Sequence, residues 1–252
     1  MPTEFVSERK LLGMLTPSSN TILEPVTAAM LAGMRDVSAH FGRFRVTEIA
    51  LSADALAQFG NGDILAAAEL LSHARCQVIG WNGTSSGWLG FESDVRLCAA
   101  ITRETGAHAC TSVLALNEIL RSTGVKRLGL VTPFRDDVQH AIMRNYARLG
   151  IACTAERHAG LKDNFSFSQV TDDEIRAMVR AVMTEGPADQ RPEAVTIFCT
   201  NLRGAPLAAE LEAEFGVPVY DTIATVVWKA LRLAEVDTTR LSAWGSLFSG
   251  RL

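Results

Sequence analysis

The segment Leu12-Gly13-Met14-Leu15-Thr16-Pro17 recurs in type as Leu128-Gly129-Leu130-Val131-Thr132-Pro133, 116 residues further on. Internal similarity at one fixed offset constrains the fold more than any local pattern, because each copy must be a structural unit and the two must pack together. The same offset carries Gly83-Thr84-Ser85 onto Cys199-Thr200-Asn201, again at the end of an apolar run. A looser echo relates residues 106–112 to 216–222, where the offset falls to 110 and implies a shorter loop. The chain reads as a duplicated unit that divides near residue 124. Its first lobe spans residues 1–124 and is joined by the C-terminal segment 225–252; the second spans residues 125–224.

Short apolar runs alternate with amphipathic stretches of helical length. Strands are expected at 11–15, 45–51, 77–81, 127–132, 151–155 and 195–198. Helices are expected at 21–34, 64–74, 94–105, 113–122, 136–148, 171–183, 206–215 and 222–234. Alternation of this kind specifies an α/β fold in which a parallel sheet is covered by helices on both faces. Near-continuous apolar strands such as Leu128-Gly129-Leu130-Val131 fit burial from both sides. The expectation is two pseudo-symmetric, doubly wound, flavodoxin-like lobes with parallel sheets. The repeated turns fall at carboxyl ends of strands, where open parallel sheets bind ligands, so the active site belongs in the cleft between the lobes.

Composition excludes several functions. With 48% hydrophobic residues, 21% charged residues and a net charge of -4, the 252-residue chain has no basic stripe with which to track nucleic acid. The first ten residues mix both charge signs and lack the apolar core of a signal peptide. No apolar run approaches the roughly 20 residues of a membrane span, so a cytoplasmic enzyme without membrane partners is expected. A homo-oligomer is compatible with all of this. The five cysteines contain no CxxC pair, and His73-x-x-Cys76 stands alone, so neither a disulfide framework nor a metal site is expected. Neither G-x-G-x-x-G nor a P-loop is present, which leaves a chain expected to work without a cofactor.

The chemistry then rests on the turns. Backbone N–H groups of Gly83-Thr84-Ser85 and Cys199-Thr200-Asn201, with hydroxyl and amide donors beside them, could form a two-piece oxyanion hole; each polar residue could equally cap a helix. Cys199 ends an apolar strand just before an expected helix, where the helix dipole would lower the thiol pKa. Cys76, Cys98, Cys110 and Cys153 are expected to be structural. Asn20 could cap the first helix or face a substrate carboxylate. Asp136 and Asp137 read as partners of a helix dipole, and His108 as structural.

The motifs Thr16-Pro17-Ser18-Ser19-Asn20-Thr21, Gly83-Thr84-Ser85, Thr132-Pro133-Phe134-Arg135-Asp136-Asp137-Val138, Cys199-Thr200-Asn201-Leu202-Arg203 and Trp228-Lys229-Ala230-Leu231-Arg232-Leu233-Ala234, in this order, resemble the aspartate/glutamate racemase superfamily. Within it the likeness is to the maleate cis-trans isomerase and arylmalonate decarboxylase branches, and it covers nearly the whole chain. The superfamily typically places one cysteine in each repeated turn. Here the first position is Gly83, the arrangement of arylmalonate decarboxylases, in which a lone cysteine protonates the enediolate left by loss of CO2. Ser18, Ser19, Asn20 and Asn164 resemble the isomerase branch, where asparagine holds a maleate carboxylate. Phe134 stands where the family usually has a tyrosine hydroxyl.

The resemblance implies a cofactor-independent lyase acting on a small carboxylate or dicarboxylate, with Cys199 catalytic and Ser18, Asn20, Gly83, Thr84, Ser85, Phe134, Asn164, Thr200 and Asn201 around the substrate. Cis-trans isomerization or single-base racemization is the second expectation. A carboxylate-binding protein with altered chemistry is the third.

Overall fold

The structure is a computed structural model that describes residues 9–49, 51 and 61–252. The first lobe contains β1 (Lys10–Pro17), α1 (Leu23–Leu31), β2 (Val37–Phe44), α2 (Asn61–His73), β3 (Val78–Trp81), α3 (Ser86–Leu89), α4 (Glu92–Thr105), β4 (His108–Thr111) and α5 (Ser112–Thr123). The second contains β5 (Arg127–Thr132), α6 (Asp136–Arg148), β6 (Ala152–His158), α7 (Asn164–Phe167), α8 (Asp172–Thr184), β7 (Ala194–Ile197), α9 (Ala208–Phe215) and β8 (Val219–Asp221), and α10 (Thr222–Leu233) follows β8 in the chain.

Each lobe has a four-stranded, wholly parallel sheet. The orders β2-β1-β3-β4 and β6-β5-β7-β8 are the same topology written twice. The repeat extends to strand register: Leu12 faces Val78 in the first sheet and Leu128 faces Ala194 in the second, so both strands keep the offset of 116. The change of offset also has a structural basis. Gly106 and Gly216 close α4 and α9 with left-handed φ values of 73° and 70°, conformations that glycine adopts at little cost. After them, Thr111 and Asp221 end β4 and β8 and cap α5 and α10 through their side chains.

Both lobes bury their central strands except at the amino ends of β1 and β5. Leu12, Met14, Leu15 and Val78 are inaccessible in one lobe, as are Leu128, Leu130, Val131 and Val195 in the other. Helix α10 leaves the second sheet and packs against α5, β3 and β4 of the first lobe. Its Thr225 hydroxyl donates to the Ser112 carbonyl at 2.9 Å, and Lys229 pairs with Glu118 at 2.7 Å.

One expected strand is misplaced. The described residues of 45–51 form no strand, only an isolated antiparallel bridge from Glu48 to Asp163, and β2 instead ends at Phe44. β2 is a half-buried edge strand in which Val37, Ala39 and Phe41 alternate with Ser38, His40 and Gly42, a period-two pattern and not the near-continuous apolar run of a strand buried on both faces. The apolar spacing of Val46 and Ile49 has another origin: the segment crosses to the second lobe, where Ile49 N–H donates to Lys162 O at 2.8 Å. Ala50 and the first eight residues, to which parts of the strand and leader expectations refer, lie outside the described residues. Strands β4 and β8 were not expected as strands. They lack the consecutive β-branched residues, Val78-Ile79 and Val195-Thr196-Ile197, that mark the comparably short β3 and β7.

Candidate active site

The carboxyl ends of β1, β3, β5 and β7 converge where the lobes meet. A small cavity there is lined by Pro17, Val46, Ile49, Trp81, Gly83, Thr84, Ser85, Trp88, Phe134, Asn164, Cys199 and Thr200. Its volume is about 20 Å³, room for about one water. None of these residues is charged, and six of them are apolar side chains. A larger surface hollow of about 570 Å³, bordered by His158, Leu161, Val170 and Met178, contains none of the repeated-turn residues.

Seven of the expected site residues meet in this cavity: Gly83, Thr84, Ser85, Phe134, Asn164, Cys199 and Thr200. Thr84, Ser85 and Cys199 are buried, and no protein group accepts the backbone N–H of Thr84 or Ser85 among the described residues. These N–H groups and the adjacent hydroxyls leave the first turn with donors to spare. Phe134 is held edge-on between Trp88 at 5.3 Å and Phe167 at 5.5 Å.

Of the other expected residues, Asn20 and Asn201 join the lobes, whereas Ser18 bonds within the first. Asn20 accepts from the N–H groups of Ile22 and Leu23, both at 2.9 Å, and donates to the Thr200 carbonyl at 3.0 Å. It therefore caps the first helix and crosses the cleft with one amide. Thr200 donates its hydroxyl to the Asn82 carbonyl at 3.1 Å. Asn201 accepts from Thr21 N–H at 3.1 Å and donates to Asn164 O at 2.5 Å. The Asn164 amide donates to the Ser19 hydroxyl at 2.8 Å, and Ser19 donates to Val46 O at 2.6 Å. Ser18 is exposed and accepts from Val46 N–H at 3.2 Å. These bonds satisfy buried polar groups that would otherwise cost about 1–3 kcal/mol each.

Cys199 departs from its expected environment. No helix begins beside it: a tight turn follows, with Leu202 N–H donating to Cys199 O at 3.2 Å, and helical structure resumes only at Ala205. The thiol is 4% exposed, and burial pushes its pKa up to about 12. The N–H of Asn201, 3.4 Å from Sγ, works against that shift, whereas nearby Asp221 reinforces it. Desolvation thus outweighs the hydrogen bond, and the resting side chain is a protonated thiol rather than a thiolate.

Pro17, Val46, Ile49, Trp81 and Trp88 complete the wall and were not expected there. Pro17 was visible in the repeat, and the Val46/Ile49 spacing was read as a strand. The two tryptophans flank Gly83-Thr84-Ser85 closely in sequence, a proximity that could have singled them out.

A family model described as arylmalonate decarboxylase matches residues 12–248. The chain belongs to this family. A maleate isomerase of Geobacillus stearothermophilus is 25% identical over 253 residues, covering 95% of this chain and 97% of the relative. The arylmalonate decarboxylase of Bordetella bronchiseptica is 27% identical over 187 residues, covering 71% and 76%. Among solved structures, a maleate cis-trans isomerase variant of Nocardia farcinica with a covalently bound succinylcysteine intermediate matches with TM-score 0.84 at 21% identity, covering 95% of this chain and 98% of that one. This member of the arylmalonate decarboxylase family has the expected two-lobed parallel α/β fold and lies within the aspartate/glutamate racemase superfamily. It is an enzyme of lyase or isomerase type. No helix among the described residues is long and apolar enough to cross a membrane.

Proposed function

We propose that the enzyme decarboxylates a small 2-substituted malonate without a cofactor. The observation that carries this reading is buried Cys199, the one thiol among the residues lining the cavity, with Gly83 at the position aligned with it. Its thiol, held protonated by burial, is a proton donor. Attack on a double bond, or removal of a proton, would require the thiolate that burial disfavours.

The cavity as it stands holds about one water, so the lobes must part to admit the substrate; one substrate carboxylate then binds the N–H groups and hydroxyls of Thr84 and Ser85. The other lies against the apolar wall of Val46, Ile49 and Trp88, which offers it no charge partner. A carboxylate stripped of water without compensating donors is strongly disfavoured, whereas neutral CO2 is not. The C–C bond to the departing group breaks, and its electron pair passes to the α-carbon and into the retained carboxylate as an enediolate. The donors of the first turn stabilise that developing charge. Cys199 then gives its proton to the α-carbon, and its thiolate regains one from solvent. Asn20 and Asn201 support the site through the lobe contacts they make, and Ser18 through its hydrogen bond with Val46. The lobe boundary near residue 124 and a cytoplasmic location belong to the same proposal.

Cys199→Ala tests it directly: CO2 release from phenylmalonate should vanish while the circular dichroism spectrum is unchanged, and full activity in the variant overturns the assignment. Cis-trans isomerization is the second reading, favoured by the Asn164 amide at the cavity wall. Incubation with maleate in D2O separates the two, since fumarate formation without CO2 release would select isomerization.

A further inference from the structure

Gly83 is more than an absent cysteine. A Cβ built on it would fall inside the van der Waals envelope of Trp81, overlapping indole atoms Cζ2, Cε2 and Cη2. We propose that Trp81 excludes any side chain from position 83 and thereby limits the site to a single thiol, which makes it a specificity-determining residue. The proposal rests on the decarboxylase reading for its chemical consequence, though not for its geometry.

The indole has little room to yield. Trp81 is 1% exposed, its ring centroid lies 5.0 Å from that of Phe44, and its backbone sits in β3 opposite Leu15 on one side and Thr111 on the other. The packed surroundings resist displacement of so large a ring. The repeat supplies a control within the molecule. At the offset of 116, Trp81 corresponds to Ile197 and Gly83 to Cys199. Ile197 packs towards Gly204, where a Cβ would come within 2.7 Å of it, and so leaves the cavity to the Cys199 side chain. The two halves therefore differ at a coupled pair of positions. A large ring accompanies glycine in one, and a smaller side chain directed elsewhere accompanies cysteine in the other. Because Trp81 also lines the cavity, it presents a flat apolar surface to the substrate in place of a second acid or base.

The test is a double-mutant cycle of Gly83→Cys and Trp81→Leu, read first by thermal unfolding. Gly83→Cys alone should lower the midpoint by about 5 °C or more, and Trp81→Leu should suppress most of that loss in the double variant. The second readout is α-deuterium exchange of (R)- and (S)-2-phenylpropionate in D2O. The double variant should exchange both enantiomers at least about tenfold faster than either single variant. Additive losses of stability overturn the proposal. So does a Gly83→Cys enzyme, with Trp81 in place, that exchanges both enantiomers as fast as the double variant. If the parent enzyme releases no CO2 from any 2-substituted malonate, the proposed function fails, and the stability cycle still decides whether Trp81 closes position 83.

Discussion

The turns after β3 and β7 are copies that have been put to different uses. In the first, Gly83 lies under an indole, and Thr84 and Ser85 line the cavity. In the second, Cys199 brings a thiol to the same cavity, while Thr200 and Asn201 spend their polar groups on Asn20, Asn82, Thr21 and Asn164. In the proposed reaction one turn supplies anion donors and the other a proton; the second also binds the lobes together. Duplication supplies two equivalent strand ends; the division of labour comes from which side chains remain unpaired in the folded molecule.

The largest effects should appear at the two aligned positions and should be of opposite kinds. Cys199→Ala removes the proposed proton donor and should lower kcat by about 10³-fold or more, with unfolding within a few degrees of the parent. Gly83→Ala adds one methyl group against Trp81 and should instead destabilise the fold by about 1–3 kcal/mol, the range for overpacking. Equal effects on stability at both positions would break the contrast. The state of the thiol can be checked independently of turnover. At pH 8, iodoacetamide should modify Cys199 about 100-fold or more slowly than a free thiol, because little thiolate is present and access is restricted.

A second contrast concerns buried carboxyls. Asp221 ends β8 and accepts from the N–H groups of Ile223 and Ala224, yet burial pushes its pKa up to about 7. At the equivalent place in the first lobe stands Thr111, whose hydroxyl donates at 2.5 Å to Asp94, with a pKa raised by burial to about 6. Both groups hold a proton more tightly in the native state than in the unfolded chain. Their favourable contribution is therefore complete below about pH 4 and is lost as pH rises towards their native pKa values. A tenfold change in proton affinity is worth about 1.4 kcal/mol, so the loss from Asp221 is on the order of a few kcal/mol. Urea unfolding at pH 5 and pH 8 should show lower stability at the higher pH. Asp221→Asn, which keeps an acceptor for both N–H groups, should reduce that difference more than Asp94→Asn. A steeper pH dependence in Asp221→Asn would reverse the assignment.

Much of this was legible before the structure. The repeated Thr-Pro and Gly/Cys-Thr turns identify two parallel sheets and a site at their carboxyl ends, because a fixed offset preserves strand register. Two kinds of information were not legible. Edge strand β2 alternates polar and apolar residues in place of a continuous apolar run, and β4 and β8 lack the consecutive β-branched residues of β3 and β7, so strand signals failed where tertiary pairing dominates. The roles of polar residues also depend on partners distant in sequence: Asn20 and Thr200 are 180 residues apart, and no spacing rule predicts that they use up each other's hydrogen bonds. For Cys199, position suggested an activated thiolate, but desolvation depends on the packed lobe interface and reverses the direction of the shift.

The smallest effects should separate the two threonines. Thr84 lines the cavity without a protein partner for its hydroxyl, so Thr84→Val should lower kcat/KM by about tenfold while leaving stability nearly unchanged. Thr200 donates to Asn82 O and accepts from the Asn20 amide at 3.3 Å. Thr200→Val leaves both groups short of a partner across the lobe interface and should cost about 1–3 kcal/mol of unfolding free energy. Its kcat/KM, measured below the unfolding transition, should change by less than about threefold. If Thr200→Val instead loses activity while retaining stability, the second turn binds substrate as the first does, and the division of labour between the two copies rests on Cys199 and Gly83 alone.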